Sequence, residues 1–148
     1  TSQDRRMAAR MARIANVSLE ELGRSIFSAS ASEDRPVEDL LFTDFKEFHI
    51  AGHFFGVSQI TCVDSPHLLV RKEEFLAVMR RTMEEKGYSM MILMLTDVLL
   101  EGTQLIYLGD EDTIRQAFNA DVRDNEVFLP KVMSRKKQII PMLTALWG

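Results

Sequence analysis

Residues 90–95 read Met-Met-Ile-Leu-Met-Leu, a stretch that is apolar at every position. A strand covered on both faces shows this continuous pattern, whereas a strand with one solvent face alternates. The run is far too short to cross a bilayer, which needs about 20 apolar residues in a helix. We therefore predict a buried central strand here, around which the rest of the fold is arranged.

Strand-like and helix-like patterns alternate along the chain on both sides of this strand. The predicted strands are Phe45–Ile50, Phe54–Val63, Met90–Leu95, Gln104–Leu108 and a short one at Glu126–Leu129, with a turn at Ala51-Gly52. The predicted helices are Asp4–Arg13, Ser18–Ser30, Pro36–Leu41, Ser65–Gly87, Asp110–Phe118 and Ile139–Trp147. This order predicts an α/β domain with a mixed central sheet and helices packed on both of its faces.

The composition describes an acidic chain of single-domain size. Its 148 residues are 46% hydrophobic and have a net charge of −4, which favours a folded domain and argues against a general nucleic-acid binder. A single cysteine, Cys62, suggests a reducing compartment. With no secretory signal visible, we expect a cytoplasmic protein with neither nucleic acid nor membrane as a partner. The chain begins with Thr1 rather than Met, which fits a part of a longer protein.

The segment from Lys131 to Gln138 is the most unusual local feature of the sequence. It holds four cations and no acid, directly before the predicted C-terminal helix. The helix dipole disfavours cations at that end, so the cluster costs stability unless an anion binds there. Phosphate suits the place, because free N–H groups, an Arg fork and Lys charges can all contact it. A solvated basic turn is the simpler interpretation of the same pattern.

Lys46 is a second cation in an unexpected position. It has the same strand parity as Phe48 and Ile50, and so points the same way as an apolar face. It therefore either reaches water at the end of its strand or points into a cleft.

The remaining candidates have ordinary explanations. Asp97 follows the central strand, where carboxylates often form sites, but a turn or a cap explains it more simply. Cys62 is predicted to be a small buried residue. The sequence contains neither a Gly-rich phosphate loop nor a nucleophile elbow. Three histidines lack the spacing of metal ligands: His49, His53 and His67.

Four segments resemble signatures of one known family, in the expected order. Residues 134–141, Ser-Arg-Lys-Lys-Gln-Ile-Ile-Pro, closely resemble the signature near the C-terminus of the second family of inorganic pyrophosphatases, which are DHH-superfamily enzymes that work with manganese or cobalt. Residues 43–48, Thr-Asp-Phe-Lys-Glu-Phe, resemble a second signature, residues 95–99 a third, and residues 20–27 the opening stretch of the domain. The departures are Val98, where isoleucine is usual, and the polar loop 28–34, where the family commonly has Ala-Gly.

The resemblance implies that residues 1–148 form a single domain, the C-terminal substrate-binding domain of a larger two-domain enzyme. The N-terminal DHH domain, which would hold manganese (or cobalt or magnesium), is absent from this chain. No metal ligand is therefore expected among its residues, and the isolated chain should not hydrolyse pyrophosphate. An exopolyphosphatase of the same superfamily, or a non-enzymatic phosphate-binding or protein-interaction module, would be an alternative.

Matching the motifs residue by residue implies that phosphate is contacted by Lys46, Arg135 and Lys136, which should lie close together on one concave face. Ser134 and Gln138 are expected to position the loop. Because crowded cations gain from a bound anion rather than from the unliganded fold, removing Arg135 or Lys136 should leave stability unchanged or slightly higher.

Overall fold

The computed structural model describes residues 35–148, which form a five-stranded sheet flanked by helices. In chain order the elements are α1 (Val37–Thr43), β1 (Phe45–Ile50), β2 (His53–Cys62), α2 (Ser65–Leu69), α3 (Lys72–Lys86), β3 (Met90–Asp97), β4 (Gly102–Leu108), α4 (Glu111–Phe118), β5 (Glu126–Pro130), a π-helical turn (Arg135–Ile139) and α5 (Ile140–Trp147). The predicted helices Asp4–Arg13 and Ser18–Ser30 lie outside the described residues. Within residues 35–148, no helix is long and apolar enough to cross a membrane.

The sheet is mixed, as predicted. Its strand order is β1-β2-β3-β4-β5, with β2 and β3 parallel and all other neighbours antiparallel. The predicted turn between β1 and β2 is a tight hairpin in which Ala51 and Gly52 have φ angles of 52° and 82°. Because β2 and β3 are parallel, they end at the same edge of the sheet, at Cys62 and Asp97. We call this the carboxyl edge.

The central strand β3 separates two hydrophobic cores. All of its residues are buried, which confirms the prediction of a strand covered on both faces. Its odd-numbered residues from 91 to 95 pack with α1, α2 and α3, whereas its even-numbered residues from 90 to 94 pack with α4, α5 and the π-helical turn. Each apolar side chain buried in this way contributes about 1.5–3 kcal/mol. Helices therefore cover both faces of the sheet, as predicted.

The sequence predicts one helix over residues 65–87, but the structure has two. α2 ends where the backbone N–H groups of Val70 and Arg71 donate to carbonyls three residues earlier, at 3.3 and 2.9 Å. These tighter bonds interrupt the regular helical ladder, and α3 restarts at Lys72. The apolar stripe is continuous across the break, so its spacing does not reveal it. The predicted end is confirmed, because Gly87 caps α3 with a φ of 76°.

The C-terminal helix α5 is preceded by a wider turn than an α-helix makes. The N–H of Ile139 donates to the carbonyl of Ser134 at 3.1 Å, five residues back along the chain. Pro141 follows as the second residue of α5, and it has no N–H to donate to the carbonyls of the preceding turn. The basic segment thus forms a π-helical turn at the N-terminal end of α5, a type of irregularity that is frequent at functional sites.

Candidate anion-binding site

The basic segment lies at the carboxyl edge of the sheet. β5 ends at Pro130, opposite Gly102, which in turn pairs with Asp97 at the end of β3. From there the chain passes through residues 131–134, which we call the edge loop, into the π-helical turn. β1 runs antiparallel to β2, so its first residues, including Lys46, lie toward the same edge. Ligands of α/β sheets commonly bind at such an edge.

A row of polar side chains holds the edge loop against the sheet. Gln59 donates through Nε2 to the Thr96 hydroxyl at 3.0 Å and to the Met133 carbonyl at 2.9 Å. The hydroxyls of Thr96 and Thr103 are 3.1 Å apart, and Thr103 donates to the carbonyl of Val132. The three side chains therefore satisfy two loop carbonyls that would otherwise be poorly paired at the protein interior.

Ser134 and Gln138 position the loop, as predicted. Gln138 accepts through Oε1 from the backbone N–H groups of Met133 at 2.8 Å and Ser134 at 3.0 Å, and its Nε2 donates to the carbonyl of Lys131 at 3.0 Å. The hydroxyl of Ser134 accepts from the N–H of Lys137 at 3.0 Å, as an N-cap does. One amide side chain thus fixes the loop at both of its ends, including Lys131, whose φ of 63° is left-handed.

Arg135 is the one buried cation of the basic segment. Only 8% of its side chain is exposed, and its guanidinium donates inward. Nη1 bonds to the carbonyls of Asp44 at 3.0 Å and Val57 at 3.2 Å, while Nη2 bonds to the Asp44 carboxylate at 2.7 Å. These contacts give Arg135 a structural role in the unliganded fold, contrary to the expectation that its removal leaves stability unchanged.

Lys46 lies on the same side of the sheet as the π-helical turn. It shares strand parity with Phe48, which packs against the core that contains α5 and the π-helical turn. Its cross-strand partner is Val57, the residue whose carbonyl accepts from Arg135. The two segments are therefore adjacent, because Arg135 bonds to Val57, the strand partner of Lys46, and to Asp44, two residues before Lys46.

The ammonium groups of the site are exposed and uncompensated. Lys46, Lys136 and Lys137 all have exposed side chains. Within residues 35–148 none of the three forms an ion pair or a side-chain hydrogen bond, whereas Lys72, on the helix α3, is paired with Glu126 at 2.9 Å. An arrangement of free cations beside a helix N-terminus can bind an anion of high charge density.

The other sequence candidates have structural roles. Asp97, 1% exposed, accepts from the N–H of Ser65 at 2.9 Å and from the N–H groups of Leu99 and Leu100 at 3.0 Å, which confirms a turn and a cap. Asp64 caps α2, because its carboxylate accepts from a backbone N–H inside the first turn. Cys62 is buried, as predicted. Two histidines contact aromatic rings: His53 stacks on Trp147, and His49 lies against Phe54 with its ring tilted by 59°.

A cleft of about 750 Å³ lies on the opposite face of the sheet, between α1, α3 and β1. Its lining includes three acids, Glu38, Glu47 and Glu85. Burial, and then a hydrogen bond to Glu47, raises the pKa of the Tyr88 hydroxyl, so Tyr88 remains a neutral donor in the ordinary pH range. Arg81 and Lys86 also line the cleft, and Arg81 is paired with Glu38. Acids and cations therefore stand together here, whereas the basic segment has cations and no acid.

Sequence reasoning missed three residues of the site. Asp44 belongs to the quoted segment 43–48 but had no assigned role, because its partner is 91 positions away in the sequence. Gln59 and Thr103 could have been identified from the sequence. Each is a polar residue that points to the same face of its strand as buried apolar neighbours. A polar side chain in such a row needs a partner, and here the edge loop supplies it.

The fold and the site define an α/β domain with a cluster of exposed cations at its carboxyl edge, in the turn that leads into its C-terminal helix. The chain belongs to the family of the DHHA2 domain, which matches residues 24–146.

Named relatives match almost the whole chain. The manganese-dependent inorganic pyrophosphatase of Methanocaldococcus jannaschii is 33% identical over 145 residues, which cover 97% of this chain and 47% of the relative. The cobalt-dependent inorganic pyrophosphatase of Clostridium perfringens is 36% identical over 148 residues, which cover 99% of this chain and 27% of the relative. A crystal structure from Methanococcus jannaschii, described as a family II inorganic pyrophosphatase, superimposes with a TM-score of 0.81 at 32% identity and covers 99% of this chain and 48% of that one.

The chain therefore spans about half the length of the manganese-dependent relative. Both relatives carry a metal in their names, and the residues described here do not fit one. Among residues 35–148, no group of three or more His, Cys, Asp or Glu side chains could hold a metal ion.

Proposed function

We propose that this chain is the substrate-binding part of a metal-dependent inorganic pyrophosphatase, and that Lys46, Arg135 and Lys136 form its pyrophosphate site. The observation that carries the proposal is the contrast between an anchored Arg135 and an adjacent, exposed and unpaired Lys136. A buried, fixed cation holds the turn in shape, and the neighbouring ammonium is left available for a ligand. The names of the relatives supply the substrate class.

The chemistry of pyrophosphate hydrolysis explains why such a surface is useful. Pyrophosphate is a compact polyanion, and negative charge develops on the leaving phosphate as the bridging P–O bond breaks. Lys46 and Lys136 offer mobile ammonium donors to this charge, and Arg135 adds a fixed positive charge below them. Prepositioned donors of this kind stabilise the transition state more than the ground state.

The remaining chemistry must come from outside residues 35–148. A bound manganese or cobalt ion would supply the activation of water, and the residues that would hold it are not among those described. We propose that the metal is held by a separate N-terminal domain of the same protein, that residues 1–148 form one C-terminal domain, and that the whole protein acts in the cytoplasm. The share of the relatives that this chain covers supports that arrangement.

Titration with inorganic pyrophosphate tests the binding role. For half of a site we expect a dissociation constant of about 1 mM, close to −4 kcal/mol, and binding that weakens with salt. Lys136→Ala should weaken it further. Lys86→Ala is the matched control, because Lys86 is also an exposed lysine near a helix terminus but lies on α3, at the opposite face. Equal dissociation constants for the wild type and Lys136→Ala would contradict the proposed site.

A parallel assay of phosphate release addresses the division of labour. With added manganese, the isolated chain should show no turnover, because its described residues provide no metal ligands. Turnover at an ordinary enzymatic rate of about 1–1,000 per second would show that the catalytic groups lie within the chain after all.

A further inference from the structure

Asp44 connects the two basic segments of the site. Its carboxylate accepts from Nη2 of Arg135 at 2.7 Å, and its backbone carbonyl accepts from Nη1 at 3.0 Å. Asp44 immediately precedes β1 and stands two residues before Lys46, while Arg135 is the first residue of the π-helical turn and adjoins Lys136. A single carboxylate–guanidinium pair thus links the segment of one exposed lysine to the segment of the other.

We infer that Asp44 is a positioning residue for phosphate binding, which acts through Arg135 to hold Lys46 and Lys136 at a fixed separation. The inference rests on the proposed function, since it assumes that these two lysines bind the same ligand. One guanidinium donates both to the carboxylate and to the backbone carbonyl of Asp44, and these two bonds fix orientation as well as distance.

The exposure of the two partners separates a positioning role from a purely stabilising one. The Asp44 side chain is 52% exposed, against 8% for Arg135. A half-exposed carboxylate contributes little through charge alone, because water screens it. Its negative charge also opposes any anion bound nearby. A residue whose charge works against the ligand can favour binding only through geometry.

Asp44 could instead occupy the place of the ligand and be displaced by it. The other contacts of Arg135 argue against this. Two of its three hydrogen bonds go to backbone carbonyls, of Asp44 and Val57, which an incoming phosphate cannot replace. The guanidinium is therefore anchored whether or not a ligand is present, and the carboxylate is part of that anchor.

The sign of one binding change tests the inference. In a titration of the 148-residue chain with inorganic pyrophosphate, Asp44→Asn should weaken binding by about three- to tenfold, which lies at the low end of the coupling between contacting residues. Electrostatics alone predicts the opposite, because the substitution removes a negative charge near an anion. Asp121→Asn is the control for charge, because it removes one exposed carboxylate from the loop between α4 and β5, at the end of the sheet opposite the carboxyl edge. This variant should bind pyrophosphate with unchanged affinity.

Amide hydrogen exchange supplies a second readout that needs no ligand. The N–H groups of Lys137, Gln138 and Ile139 are all bonded to Ser134, and they should exchange faster in Asp44→Asn if the pair holds the turn. If Asp44→Asn does not fold, Asp44→Glu replaces it, since it keeps the charge but moves the carboxylate, and it should also weaken pyrophosphate binding.

The outcomes distinguish the inference from the proposed function. Binding that is unchanged or tighter in the Asp44 variant, while the wild type binds, overturns the positioning role and leaves the proposed function standing. No pyrophosphate binding by the wild type overturns the proposed function. In that case faster exchange in the variant would still show that Asp44 orders the turn, and unchanged exchange would overturn that too.

Discussion

The N-terminal ends of two helices in this domain differ in charge. The first turn of α3 contains two acids, Glu73 and Glu74, which accompany the cations Arg71 and Lys72 at its start. Its last turn contains Lys86, and both the acids and this cation are where the helix dipole favours them. The helices α1 and α4 also have two acids each in their first turns. The π-helical turn that leads into α5 has no acid and instead exposes Lys136 and Lys137.

This difference identifies the turn before α5 as a place where the charges lower the stability of the unliganded domain. Each unfavourable charge at a helix end costs about 0.3–1 kcal/mol. The first turns of α1, α3 and α4 each contain two acids that offset this cost, whereas the turn leading into α5 has cations and no acid. A bound anion would reverse the sign of that cost.

The largest expected effect comes from removing the anchor of the exceptional turn. Arg135→Ala deletes a nearly buried guanidinium with three hydrogen bonds. We expect a loss of unfolding free energy of about 3 kcal/mol, the upper end for leaving a buried acceptor unsatisfied, because the carbonyl of Val57 loses its donor. The Asp44 carboxylate is half in water and adds little to this loss. Urea denaturation measures it. Lys136→Ala, one residue further on and exposed, should change stability by no more than about 0.5 kcal/mol. Similar losses of stability in both variants would contradict the assignment of Arg135 as a buried anchor and Lys136 as an exposed cation.

This contrast shows what the sequence can and cannot predict. The strands, the buried centre at residues 90–95 and both helical layers follow from periodicity, because each depends on neighbours within one element. The burial of Arg135 depends on Asp44, 91 positions away, and the sequence pattern treats Arg135, Lys136 and Lys137 alike. The break between α2 and α3 is equally hidden, since the apolar stripe runs through it.

The second expected effect concerns the polar row beneath the edge loop. Gln59→Leu leaves the Met133 carbonyl without the donor that now lies 2.9 Å away, which should cost about 2 kcal/mol as an unsatisfied buried acceptor. Gln104→Leu is the control, because Gln104 is half-buried in β4 of the same sheet but points to the opposite face from Thr103. Thermal unfolding compares the two variants, and a control that loses as much as Gln59→Leu would show that the loop contact is not the cause.

The smallest effect tests the comparison of helix ends directly. Lys137→Glu places an acid where the dipole favours one, and it should raise the unfolding free energy of the unliganded domain by about 0.3–1 kcal/mol. The reverse change on the ordinary helix, Glu73→Lys, should lower it by a similar amount. Thermal or urea unfolding at low ionic strength measures both, and both positions are exposed, so packing changes little.

Salt separates this charge effect from any change in helix propensity, because at 1 M ionic strength the screening length falls to about 3 Å. Both shifts should then shrink toward zero, whereas a propensity effect would persist. Lys137→Glu should change pyrophosphate affinity in the opposite direction to stability. The unliganded variant is more stable, but it should bind pyrophosphate more weakly than the wild type, because it places a negative charge beside Lys136. If Lys137→Glu gains stability and keeps full pyrophosphate affinity, the unfavourable charge at this helix end has no role in binding. The basic turn would then be an ordinary solvated surface.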